Sequence, residues 1–180
     1  MELTPGLILK ERYRIIRLLG KGGMGAVHLA YDISLENEVA VKSNQSLGQD
    51  SKDQFLQEAR LLATLKHPNL PRVIDHFISG DTQFLVMDYI PGTDLDTLVD
   101  EKGSQPLEKV IEWSKQLGSA LSYLHKQDPP VTHRDVKPAN IKLTPEGDVI
   151  LVDFGLAKAS QASQATATGA AGYSPGFSPP

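Results

Sequence analysis

His133-Arg134-Asp135-Val136-Lys137-Pro138-Ala139-Asn140, with Asp153-Phe154-Gly155 further on, is the stretch on which the reading of this chain turns. It sets a Lys two residues after an Asp, an Asn five residues after it, and a second Asp downstream. Carboxylates, an ammonium and an amide packed so closely are costly to bury and have little use in an ordinary core. They are the groups that accept a proton, neutralise phosphate charge and hold a hard divalent cation. The pattern predicts a site for phosphoryl chemistry.

Two upstream segments point the same way. Gly20-Lys21-Gly22-Gly23-Met24-Gly25-Ala26-Val27 fits G-x-G-x-x-G-x-V. Alone, such a run could signal a dinucleotide site, which needs a helix to start at the third glycine. Here the third glycine leads into Val27, His28 and Leu29, which read as a strand. The loop is therefore expected at a hairpin tip, where missing side chains let the backbone lie over phosphates. Lys42 closes Val39-Ala40-Val41-Lys42, a strand at a suitable distance from that loop.

Periodicity supplies the rest of the frame. Strands are predicted at 13–19, 26–31, 38–42, 72–77 and 83–89, and a helix at 52–66 with Phe55, Ala59, Leu62 and Leu65 on one face. His67-Pro68-Asn69 is expected to end that helix, and Pro91-Gly92-Thr93 reads as a hinge-like break. A long amphipathic helix is predicted over 106–126, with Val110, Trp113, Leu117, Leu121 and Leu124 at its apolar spacing. Short strands at 141–143 and 149–152 flank the turn Pro145-Glu146-Gly147-Asp148. From Ala159 to Pro180 there is no charged residue, and Ala, Ser, Thr, Gly, Gln and Pro dominate. Such a segment is expected to be a mobile loop or to need a partner surface.

Composition narrows the classes. With 180 residues, 40% hydrophobic and 22% charged, the chain has the make-up of a soluble globular protein. A net charge of −4 makes no case for nucleic acid or an anionic membrane. There is no cysteine, which excludes disulfides, thiolate zinc sites and cysteine nucleophiles. No apolar run approaches a membrane span of ~20 residues, and the reading is cytoplasmic.

Taken together, the glycine loop, the V-A-V-K strand, the catalytic string and the Asp-Phe-Gly triplet resemble a eukaryotic-like serine/threonine protein kinase of bacterial type. The resemblance implies an α+β, bilobal fold: an N-terminal antiparallel sheet with one main helix over 1–90, and a partial, mostly helical C-terminal lobe over 91–180. ATP would lie between the lobes. It implies that Leu19, Gly20, Lys21, Gly22, Gly23, Met24, Gly25, Ala26, Val27, Ala40 and Lys42 bind nucleotide. Met87 would be the gatekeeper, Asp88 and Ile90 the hinge groups that read adenine, and Asp94 a ribose-contacting acid. Lys42 would hold the α/β-phosphates, steadied by Glu58. Asp135 would take the substrate hydroxyl's proton, Lys137 would neutralise the γ-phosphate, and Asn140 and Asp153 would hold Mg2+.

The resemblance also implies a protein substrate offering Ser or Thr, and control through Arg134 by a phosphate on Thr166 or Thr168. Two departures stand out. Lys142 occupies a place where an apolar residue normally forms the adenine floor, and its amine is expected to reach water. Pro180 falls just before the Glu that should close the activation segment, so a fragment of a longer kinase domain is expected. A membrane anchor beyond Pro180 is what family members often carry. An inactive nucleotide-binding or scaffold module is the alternative function.

Overall fold

The computed structural model describes residues 3–22, 25–45 and 49–153. They form two units, one of 3–66 with 71–90 and one of 67–70 with 91–153.

The first unit is a six-stranded antiparallel sheet with one helix. Strands β1 (Ile8–Leu9), β2 (Tyr13–Gly22), β3 (Gly25–Asp32), β4 (Asn37–Gln45), β5 (Val73–Ser79) and β6 (Thr82–Asp88) lie in the order β1-β2-β3-β4-β6-β5. Alternation gives the sheet two unlike faces. Tyr13, Ile15, Ala30, Val39, Val41, Phe84 and Val86 are buried together with Leu3 and Leu9. Phe77 stacks on Phe84 at this core, with ring centroids 4.9 Å apart.

The segment before β2 is stapled to the sheet by main-chain bonds from Gly6 N–H to Ile15 O and from Ile15 N–H to Leu7 O, both 2.8 Å. A polar clamp closes the same end. Arg12 donates twice to Asp32, at 2.8 and 2.7 Å, and the Ser34 and Leu35 amides donate to the same carboxylate.

Helix α1 (Gln49–Thr64) packs on β5 through Phe55, Ala59 and Leu62, whose spacing keeps them on one face. It begins three residues earlier than periodicity predicts and stops at Thr64. Leu65 is buried but already outside the helix, its amide bonded to Leu62 O.

The second unit contains a three-stranded sheet, β7 (Thr93–Asp94), β8 (Ile141–Leu143) and β9 (Val149–Leu151), ordered β7-β8-β9. Two helices, α2 (Leu95–Lys102) and α3 (Leu107–His125), accompany it. Gly92 shows why the chain breaks where it does: at φ 113° it runs so close to the Leu143 carbonyl that any Cβ would collide. The β8–β9 turn closes by Gly147 N–H to Thr144 O at 3.0 Å, with Gly147 at φ 97°.

Helix α2 is an element that the sequence analysis does not contain, although its signals are present. Asp94 caps it by accepting from Thr97 N–H at 2.9 Å, Lys102 lies in its last turn, and Gly103 ends it at φ 70°. Helix α3 follows its predicted span within a residue. Its buried face is Trp113, Ala120 and Leu124, whereas Val110, together with Leu107 and Ile111, is exposed.

His67–Leu70 breaks into the 1–90 segment because it packs with the second unit. Asn69 donates to Val149 O at 2.8 Å and to Gln116 Oε1 at 3.1 Å, while its carbonyl takes the Leu151 amide. His67 bonds Ser119 and tilts against Tyr123.

Candidate active site

The candidate residues fall into two groups, one in each unit. In the first, register decides which side chains share a face. Val27 lies opposite Lys42, Leu29 opposite Ala40, Ala40 opposite Met87, and Lys42 opposite Leu85. Directly opposed residues of antiparallel strands point the same way, so Val27, Ala40, Lys42 and Met87 line the face opposite the Val39–Val41 core.

Lys42 is only 7% exposed. A buried ammonium is ordinarily found paired with an anion. Among the described residues of this unit the buried acids are Asp32, engaged by Arg12, and Glu58 on α1.

The glycine loop is the tip of the β2–β3 hairpin. Gly20 opposes Val27, Lys21 opposes Ala26 and Gly22 opposes Gly25. The third glycine leads into a strand, as expected, and not into the helix that a dinucleotide site requires. Gly25 is forced by packing, because at φ 138° a side chain would strike the Ser43 carbonyl and the Asn44 amide. Gly20 and Gly22 have open space around them, so nothing within the described chain demands their bareness. Leu19 precedes them, 36% exposed, and Gly23 and Met24 lie outside the described residues.

At the end of β6, Asp88 is tied to Arg72 through its side chain at 2.9 Å, and its own amide donates to Arg72 O. A hinge role for Asp88 therefore rests on its carbonyl. Ile90 follows, partly buried.

In the second unit the string starting at His133 folds into a compact loop. Lys137 Nζ lies 2.9 Å from Asp135 Oδ2. Asn140 Nδ2 donates to the same Oδ2 and to the Asp135 carbonyl, each at 2.8 Å. Both Asn140 N–H bonds thus face the loop, which turns its amide oxygen, a hard ligand, away from Asp135. Pro138–Asn140 forms one 3₁₀ turn, Pro138 being tolerated because a first helical position needs no amide donor.

Main-chain bonds then bring Asp153 to the same end of the β8–β9 pair. Ile141 pairs with Leu151, and Val152 N–H donates to Asn140 O at 2.9 Å. The buried His133 ring reaches Val152 O at 3.2 Å. Arg134 and Asp153 are both left-handed, at φ 67° and 61°, a conformation that non-glycine residues hold only where surroundings impose it. Asp135, Lys137, Asn140 and Asp153 are thereby gathered within one unit. Phe154, Gly155, Thr166 and Thr168 lie outside the described residues.

The Lys142 side chain is 30% exposed, and its amine also has a partner. It meets Asp94 Oδ2 at 3.3 Å across the β7–β8 pair. Burial alone would raise the Asp94 pKa, but the Thr97 donors and Lys142 outweigh it and hold the carboxyl below its ordinary value.

Residues 13–180 match the family model described as Protein kinase domain, and the chain belongs to that family. The fold is the α+β, protein-kinase-like one. Among its relatives are bacterial serine/threonine kinases. It is 40% identical over 177 residues to serine/threonine-protein kinase PknA of Mycobacterium tuberculosis, covering 94% of this chain and 41% of PknA. To PrkC of Bacillus subtilis it is 32% identical, covering 91% of this chain and 25% of PrkC.

The kinase domain of Mycobacterium tuberculosis PknI is a similar solved structure, with a TM-score of 0.75 and 28% identity over 88% of this chain and 64% of that one. Rad53 in complex with AMP-PNP is another, at 0.73 and 28%, over 81% and 38%. The chain spans less than half the length of these curated relatives. Among the described residues no helix is long and apolar enough to cross a membrane.

Proposed function

We propose that this chain transfers the γ-phosphoryl group of ATP, with Mg2+, to Ser or Thr hydroxyls of proteins. The observation that carries the reading is the convergence of Lys137 and Asn140 on the Asp135 carboxylate, with Asp153 at the same end of the β8–β9 pair. Asp135 accepts the proton of the attacking hydroxyl as its oxygen bonds to the γ-phosphorus. The bond from that phosphorus to the bridging oxygen breaks, and ADP leaves. Lys137 balances charge on the transferred group.

The donor set suits magnesium. Asn140 and Asp153 offer oxygen only, and Mg2+ is typically held by one or two side chains plus phosphates and waters. When bound, the ion would offset phosphate charge. Among the described residues no cluster of three or more His, Asp or Glu could hold a metal without phosphate help.

In the first unit we assign Lys42 to the α/β-phosphates with Glu58 as its counter-ion, the open Gly20 and Gly22 to phosphate contact, and Leu19, Val27, Ala40 and Met87 to the base. The Asp88 carbonyl and Ile90 main chain read adenine, and Asp94 meets the ribose. AMP-PNP in the similar Rad53 structure supports a nucleoside triphosphate as the ligand. Residues 1–90 then serve nucleotide binding, and 91–180 carry the transfer. ATP use fits a cytoplasmic location. Thr166 and Thr168 are assigned as activation-segment acceptors whose phosphate pairs with Arg134.

The test is phosphate transfer from radiolabelled Mg-ATP to casein. Transfer that falls about 10²–10⁴-fold in Asp135→Asn, with ATP binding retained, is the expected result. Binding without transfer in the unsubstituted chain would favour the inactive nucleotide-binding module. No binding and no transfer would overturn both.

A further inference from the structure

In the proposed reaction Asp94 meets the ribose, but its partner Lys142 has no role. Asp94 Oδ1 is held by Thr97 N–H and Oδ2 by Lys142 Nζ, so both oxygens are fixed. The side chains are 22% and 30% exposed, enough for a ligand to reach them. The strands do not depend on the pair: Thr93 is also paired with Leu143, and Gly92 packs on the Leu143 carbonyl. A carboxylate has about four lone-pair sites, and the Thr97 and Lys142 bonds do not use them all, leaving the remainder with a set direction. Lys142 lies two residues beyond Asn140, so the same short strand leaves the catalytic loop and steadies Asp94.

We propose that Lys142 is a positioning residue for nucleotide selection, orienting Asp94 so that its remaining lone pairs accept the ribose hydroxyls. A cation thereby stands where the family resemblance leads one to expect an apolar side chain. The inference rests on the ATP-binding reading above and adds to it a residue and a preference for the intact ribose.

Calorimetric titration of the whole chain with Mg-ATP and with Mg-2′,3′-dideoxy-ATP tests it. The unsubstituted protein is expected to favour ATP by roughly tenfold, the worth of hydrogen bonds to a charged acceptor. Asp94→Asn and Lys142→Met should each bring the two affinities to about the same value, and the double variant should lose no further discrimination. Lys142→Arg should restore the preference, because it returns a cation to Asp94.

Lys142→Met that keeps the original ratio, or weakens both nucleotides equally, overturns the proposal; the second result marks a merely structural pair. If Lys142→Met does not fold, Lys142→Gln is scored by the same ratio. Equal affinity of the unsubstituted protein for both nucleotides overturns this inference while leaving the kinase reading intact. No ATP binding overturns both.

Discussion

Two ion pairs, one in each unit, have almost the same length and very different surroundings. Arg12–Asp32 closes at 2.7 Å and Lys137–Asp135 at 2.9 Å. Asp32 is fully buried and receives Arg12 twice plus the Ser34 and Leu35 amides. Its bonds hold a turn and the strand that leads into it. Asp135 keeps 29% of its side chain exposed, and the Lys137 and Asn140 bonds meet on a single oxygen. A saturated carboxylate is structural, whereas one oriented yet accessible is fit to take a proton. Surroundings, and not the pair itself, divide architecture from chemistry.

Substitution at each Asp should break the likeness in opposite ways. Asp135→Asn is expected to cost the largest factor, the 10²–10⁴-fold loss of transfer given above. Its thermal midpoint should move far less, since a pair that water still reaches, with 29% of each side chain exposed, is worth about 1 kcal/mol. Asp32→Asn should do the reverse, lowering stability in urea by about 3 kcal/mol because it strands a half-buried guanidinium. ATP affinity, measured where the variant is still folded, should hardly change. Equal stability losses at both positions would erase the distinction.

Acid sharpens it further. Hydrogen bonds from Arg12 hold the Asp32 carboxyl below its ordinary value. A depressed carboxylate binds fewer protons folded than unfolded, so its stabilisation is full above the unfolded value of about 3.9 and disappears as pH falls through the folded one. Unfolding midpoints recorded downward from pH 5 should show this acid limb, and Asp32→Asn should lack that share.

The smallest effect is expected at His28. It is buried, its Nδ1 has no hydrogen-bond partner, and burial pushes its imidazole below the ordinary value. Here the folded base binds fewer protons than the unfolded one, so stability declines as pH drops through the unfolded value of about 6.5. His28→Leu should flatten the slope between pH 7 and 5. His67, also lowered by burial, should keep part of it. An unchanged slope would show that His28 plays no part in the pH response.

The sheet unit was nearly all legible, because alternation along each strand reports its buried face directly. Its strand ends shifted by a few residues, where pairing with a neighbour extends a strand beyond its apolar core. Glu58 is legible from its place in a helix after Lys42, while its burial on that helix is not. Helix α2 is hard to read because it spans only eight residues and buries only Leu98, too little to set an apolar period. The Asp94–Lys142 bond could not be read at all, since 48 residues separate its ends.

What the sequence alone determined was the residue set behind the proposed chemistry: the spacing of Asp135, Lys137, Asn140 and Asp153, the glycine loop and the strand-end Lys42, because residue type and local period need no knowledge of distant neighbours. Only the tertiary structure decided which oxygen of Asp135 the Lys and Asn share, that Lys142 turns to Asp94, and that His67–Leu70 packs with the second unit. Those are matters of register and long-range contact, and each depends on strands and helices meeting across stretches of chain that carry no signal of one another.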